Sequence, residues 1–137
     1  MSFRIVCALG AMLSLICGFA GAQPVAPDST RNVPWTHLQF NNDPAHFQFA
    51  IIADRTGGMR AGVFEKGVDR LNLLQPEFVV SVGDLISGYT EDEERMDAEW
   101  DEFDRIAARF QMPFFYVAGN HDITNPRMAP KWRERYG

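Results

Sequence analysis

The stretch Phe114-Phe115-Tyr116-Val117-Ala118-Gly119-Asn120-His121-Asp122 decides the fold. A strand-length apolar run ends at a glycine, and three side chains able to bind a metal or move a proton follow at once. Two earlier stretches share this form. Phe78-Val79-Val80-Ser81-Val82 stops at Gly83-Asp84, and Phe47-Gln48-Phe49-Ala50-Ile51-Ile52-Ala53 stops at Asp54. Nearly continuous apolar runs, rather than alternating ones, predict strands whose sheet is apolar on both faces.

Helical spacing fills the gaps between the runs. Phe64, Val68, Leu71 and Leu74 recur at helical intervals, and Pro76 ends that pattern. Met96, Trp100, Phe103, Ala107 and Phe110 make a second stripe, read as core packing. Thr90 and Glu93 predict a capping box for it. Glu91 and Asp92 suit the positive end of the helix dipole, and Arg105 and Arg109 suit the other. Residues 131–136 predict a last helix with Gly137 as its cap. Strand, helix, strand, helix, strand with short connections is an α/β fold: a βαβαβ unit with a parallel sheet and right-handed crossovers.

Ligands of open α/β sheets bind beyond the carboxyl ends of the strands. All three runs end there in an oxygen donor: Asp54, Asp84 and Asn120, with His121 and Asp122 next in line. One such Asp is commonly a helix cap; three in register are hard to assign to capping. Hard oxygen donors with a histidine suit Mn, Fe or Zn, and a carboxylate between two ions can bridge them. Paired ions about 3.5–4 Å apart activate water and stabilise the charge that develops in phosphoester hydrolysis. An imidazole oriented by a carboxylate is suited to general acid work, which gives His121 and Asp122 a catalytic reading.

Gly83-Asp84 followed by Gly119-Asn120-His121-Asp122, each after an apolar strand, resembles the calcineurin-like metallophosphoesterase family. The likeness runs from about residue 47 to residue 137. It implies the βαβαβ portion of a four-layer α/β sandwich, truncated here, and a two-ion centre. By that resemblance Asp54 ligates the first ion, Asp84 bridges both, and Asn120 ligates the second through its amide oxygen. His121 contacts the phosphate or leaving group, with Asp122 orienting its ring. The chain departs from the family pattern in two places. Thr56 stands where the first motif has a ligand histidine, and no histidine follows His121 to supply the later lone His or the Gly-His-x-His element. The first ion then binds weakly, or another residue completes its shell, or one ion suffices. Arg55, Thr56 and Gly57, with Gly58 beside them, form instead a candidate phosphate-binding turn. Residues 46–137 are accordingly expected to be the N-terminal part of a metallophosphoesterase domain, inactive alone, with an open strand edge and uncovered apolar surface.

Other classes fit less well. A nucleotide-binding Rossmann unit needs G-x-G-x-x-G after its first strand, which Gly57-Gly58 does not supply. A haloacid-dehalogenase-type phosphatase needs an Asp where Thr56 stands. A metal- or phosphate-binding module that keeps the fold but has lost catalysis remains the alternative to the hydrolase. Composition bounds the rest. Of 137 residues 46% are hydrophobic and 23% charged, and Lys+Arg of 13 against Asp+Glu of 18 gives a net charge of −5. No basic block is present, so no nucleic-acid surface is expected.

Residues 1–22 combine Arg4, an apolar run and an Ala20-Gly21-Ala22 exit, the pattern of a cleaved secretory signal peptide. Cleavage after Ala22 would export the protein to the periplasm or beyond, leave no membrane segment, and remove both cysteines, Cys7 and Cys17. Neither a disulfide nor a cysteine zinc site would then be available. Residues 23–45 are proline-punctuated and read as an irregular leader, with residues 33–40 expected to add an edge strand.

Overall fold

A computed structural model describes residues 32–40 and 45–137; the expected signal peptide and the leader residues up to 31 lie outside the described residues. The expected alternation is present: β1 (Ala50–Ile52), α1 (Val63–Leu74), β2 (Val79–Ser81), α2 (Glu93–Ala107), β3 (Phe114–Phe115) and α3 (Met128–Tyr136). The strands form one parallel sheet in the order β1-β2-β3, with Ala50 opposite Val79 and Val79 opposite Phe114. This is the βαβαβ portion that the apolar runs predicted.

Alternation along the strands divides the sheet into two different faces. Val79, Ser81 and Phe114 have no exposed surface, and they join Trp100, Phe103, Phe110 and Tyr136 in one core beneath the helices. Phe103 sits at its centre, with ring centroids of Phe64, Phe114 and Tyr116 all within 5.9 Å. On the opposite face Phe49, Ile51, Val82 and Val117 are exposed, and no helix covers them among the described residues. An unbroken apolar run reports that both faces are apolar; the helices of these residues bury only one.

Three local expectations are corrected. The ladder is shorter than the runs, because regular strand geometry holds only where both neighbours are in register. Hydrogen bonds nonetheless reach outward, from Glu77 N–H to the Gln48 carbonyl and from Asp54 N–H to the Gly83 carbonyl. The edge strand at residues 33–40 reduces to one antiparallel bridge, Trp35 to Phe115. Pro34 accepts from Tyr116 N–H, and Thr36 donates its N–H to Phe114. That bridge closes the outer edge of β3, and Pro34 has no N–H with which to extend it. The cap of α2 is Asp92, whose side chain accepts from Arg95 N–H at 3.1 Å; Thr90 Oγ1 instead accepts from Asp92 N–H. Asp outcompetes Thr as an N-cap when both are within reach, so the helix starts two residues later than the capping box implied.

α3 is fastened to α2 by charge. Arg135 reaches Asp97, Asp101 and Asp104 at 3.0, 2.7 and 3.2 Å, and Lys131 reaches Asp97 at 3.1 Å. Tyr116 and Tyr136 both donate to Asp104 Oδ1, and burial beside that carboxylate pushes both phenols up, so they stay protonated donors. Hydrogen bonds from Lys131 and Arg135 hold the Asp97 carboxyl below the usual carboxylate range. A lowered folded-state value makes this contribution complete above the unfolded value and lost as pH falls through the folded one. Acid titration should therefore loosen α3 below about pH 4, read as a change in fluorescence of Trp132, whose ring lies 5.4 Å from Trp100. Asp97 itself stays open to solvent, which screens these bonds, so the step is small. Removing both cations, by Lys131→Met with Arg135→Gln, should abolish it; an unaltered acid step in that variant would refute the assignment.

Candidate functional site

The parallel order brings the ends of β1, β2 and β3 to one edge of the sheet, and Asp84 lies at its centre. Its backbone carbonyl accepts both Thr56 N–H at 3.2 Å and Thr56 Oγ1–H at 3.1 Å. Its Oδ1 accepts His121 N–H at 2.9 Å, and its own N–H donates to Asp122 Oδ2 at 2.8 Å. The middle loop is thus bonded to the loops on both sides. Asp54, Gly83 and Asp84 all have left-handed backbones, with φ of 51°, 95° and 59°. Asp54 and Asp84, one in each of two loops, are non-glycine residues in that region, and their surroundings hold them in place.

The glycines of the two strand-end motifs have a steric reason. A Cβ on Gly83 would stand 2.2 Å from the Gly119 nitrogen, and one on Gly119 would stand 2.3 Å from Asp84 Oδ1. The β2 and β3 loops pass at backbone contact, so no side chain fits at either position.

Asp122 has a different task from the one expected of it. The residue is fully buried. Its Oδ2 accepts from Asp84 and Gly119 N–H, both at 2.8 Å, and its Oδ1 from Leu85 and Ile86 N–H at 2.9 and 3.2 Å. Burial pushes its carboxyl up, and the four N–H groups pull it back without cancelling the shift. The His121 ring is oriented by another group: its Nδ1 lies 2.9 Å from the Ser87 carbonyl, with Tyr89 edge-on at 4.5 Å between centroids. Asp122 braces the backbone rather than the imidazole. A carbonyl only accepts, so Nδ1 carries a hydrogen and Nε2 is the nitrogen left for chemistry.

The phosphate-binding turn is corrected in the same way. Arg55 is buried, donating to Glu102 Oε1 at 2.7 Å and to the Leu85 carbonyl at 3.2 Å, and its guanidinium lies over the Phe64 and Phe103 rings. A buried guanidinium needs a partner, and Glu102 on α2 supplies it. Thr56 is buried with its hydroxyl bonded to Asp84. Of the expected trio only Gly57, with φ 77° and open space around it, keeps its backbone available. Asp54, Arg55, Glu102 and Arg60 line a hollow of about 300 Å³ beside this turn; Arg55 is paired there with Glu102, and Arg60 has no ion pair among the described residues. Residue type does not separate Arg60 from Arg55; the difference is Glu102, which pairs with Arg55 alone.

Both Asp54 oxygens, Asp84 Oδ2 and Asn120 Oδ1 have no hydrogen-bond partner among the described residues. The Asn120 Nδ2 donates to Tyr89 OH at 2.7 Å, which leaves the oxygen as the unengaged end of the amide. These donors fit a hard divalent cation in chemical type. They do not complete a shell: among the described residues no group of three or more His, Cys, Asp or Glu side chains is placed to hold an ion.

The family model for calcineurin-like phosphoesterases matches residues 45–137. No curated protein and no solved structure matches the chain.

Asp122→Asn tests the brace. Asn has one accepting oxygen, so two of the four N–H groups would be left buried and unpaired at about 1–3 kcal/mol each. Urea unfolding should show a loss of about 2–5 kcal/mol, whereas a substitution that costs under 0.5 kcal/mol would contradict the bonding described.

Proposed function

The chain belongs to the calcineurin-like phosphoesterase family, and from that premise we propose that it serves metal-dependent hydrolysis of a phosphoester. The observation that carries the reading is the set of strand-end oxygens, both of Asp54, Oδ2 of Asp84 and Oδ1 of Asn120, gathered at one sheet edge and without hydrogen-bond partners among the described residues. Asp54 and Asp84 would hold a first ion, Asp84 would reach a second, and Asn120 would ligate the second through Oδ1. A bound divalent metal (Mn, Fe or Zn) supplies a water deprotonated near neutral pH and stabilises the charge of the transition state.

The remaining steps belong to this chain's own groups. His121 is proposed as catalytic: with Nδ1–H directed at the Ser87 carbonyl, its Nε2 carries the proton in the cationic ring and gives it to the departing oxygen. Asp122 takes part by fixing the loops that carry Asp84 and His121, not by touching the imidazole. The Gly57 and Gly58 amides and Arg60 are the groups proposed to meet phosphate oxygens, Gly58 and Arg60 lining the hollow beside Asp54. The opening residues support export by a cleaved signal, with the substrate met outside the cytoplasm.

A second reading is favoured by one specific observation. Thr56, at the position of a ligand histidine, has its hydroxyl hydrogen engaged by Asp84, and the shell stays incomplete among the described residues. That suits a module that binds a metal or phosphate without turnover. Activity is accordingly proposed for a protein that also carries the lone His and Gly-His-x-His elements.

Thermal melts with Mn²⁺ test the shared part of both readings. At 100 times its dissociation constant the ion should stabilise the wild-type chain by about 2.7 kcal/mol, and Asp84→Asn should lose most of that shift. No shift in the wild type would overturn the metal site. Aryl phosphate hydrolysis by a protein carrying the histidine elements separates the two readings. Rates of about 1 per second or more, abolished by His121→Ala, are expected of the hydrolase; metal binding without turnover identifies the module.

A further inference from the structure

Tyr89 is a residue whose conformation its own packing does not explain. Its φ is 49°, in the left-handed region, and its side chain is 57% exposed. A bulky aromatic residue there costs on the order of 1–2 kcal/mol, and so exposed a ring recovers little by burial. The strain is held by the loop around it. Gly88 donates its N–H to Glu99 Oε2 at 2.8 Å, and a Cβ on Gly88 would stand 1.8 Å from the His121 carbonyl oxygen. Thr90 is tied on the other side, its carbonyl accepting from Asn125 Nδ2 at 2.8 Å and its Oγ1 from Asp92 N–H at 3.1 Å. A loop anchored at both ends thus forces one tyrosine into an unfavourable backbone.

The same residue touches two neighbouring groups of the site at once. Its hydroxyl accepts from Asn120 Nδ2 at 2.7 Å, and its ring stands edge-on to His121 at 4.5 Å and 83°. We propose that Tyr89 is the positioning residue of the Asn120–His121 pair: its hydroxyl selects the amide rotamer that leaves Asn120 Oδ1 unengaged, and its ring limits the His121 imidazole to the orientation facing Ser87. The proposal rests on the reading of Asn120 as an oxygen ligand, and it adds what decides which end of that amide is offered. An amide has a donor end and an acceptor end of nearly equal shape, so a strand-end Asn without a brace would present the wrong end for a cation part of the time. Asp needs no such brace, because both ends of its carboxylate are acceptors.

Two variants of the full chain separate the hydroxyl from the ring. Tyr89→Phe keeps the ring and removes the hydroxyl; Tyr89→Leu removes both. In the wild type, side-chain amide NMR should show one Asn120 Nδ2 proton displaced and slow to exchange, and Tyr89→Phe should abolish that signature. Calorimetric titration with Mn²⁺ alone should show about fivefold weaker binding in Tyr89→Phe, the weight of one neutral hydrogen bond. His121 ring resonances should stay in place in Tyr89→Phe and move in Tyr89→Leu. Asn120 amide signals and Mn²⁺ affinity unchanged in Tyr89→Phe would overturn the proposal. So would resonance changes spread across the core with a lowered melting temperature, because Tyr89 would then be a general structural residue. If the wild-type chain takes up no Mn²⁺, the ligand reading of Asn120 falls, while the amide and ring signals still decide what Tyr89 does.

Discussion

A single buried carboxylate sets the shape of the strand-end region. Asp122 accepts four backbone N–H groups, three from residues 84–86 after β2 and one from Gly119 after β3. Those N–H groups sit where the chain leaves the sheet and has no ladder partner for them, and a buried orphan N–H is expensive. One side chain that arrives with two oxygens and four lone pairs removes the problem for both loops. The result is a fixed distance between the β2 and β3 turns, short enough that Gly83 and Gly119 must both lack a Cβ. The catalytic groups of the proposed reaction are thus exposed ends of a buried backbone lattice.

That lattice explains how strained residues persist there. Asp54, Asp84 and Tyr89 all have positive φ without being glycine, and each is bonded to something rigid. Asp54 N–H meets the Gly83 carbonyl, Asp84 is held through both its N–H and its carbonyl, and Tyr89 is held by the loop ends on either side. Left-handed geometry turns a side chain off the line of its strand. At these positions both Asp54 oxygens and Asp84 Oδ2 are left without hydrogen-bond partners among the described residues. Preorganisation of this kind lowers the reorganisation needed when charge arrives.

Periodicity and motif chemistry made the larger scale legible. The three apolar runs, the two helical stripes and the Gly83-Asp84 and Gly119-Asn120-His121-Asp122 elements are local in sequence. Their meaning depends on spacing that the backbone geometry dictates. What escaped was decided by partners distant in sequence. Arg55 looked like an anion ligand beside two glycines, yet Glu102, 47 positions away, draws it into the core between two phenylalanines. Asp122 looked like the orienter of the adjacent imidazole, yet three of the four N–H groups it serves lie 36 to 38 positions earlier. Tyr89 carried no signal at all, because its importance comes from a hydroxyl that meets an amide 31 positions on. A residue's type tells what it can bond, and only the fold tells which of several candidates is within reach.

Thr56 draws these strands together. At a position where the family pattern has a metal-binding imidazole, this chain has a hydroxyl, and both its N–H and its Oγ1–H converge on the Asp84 carbonyl. Thr56 is buried there. The hydroxyl therefore gives up a ligand and tightens the loop that presents the central carboxylate. Asp84 is left with one oxygen engaged by His121 N–H and one without a partner among the described residues. In such a site the geometry of the carboxylate is fixed before any ion arrives, and the strength of binding depends on donors other than position 56.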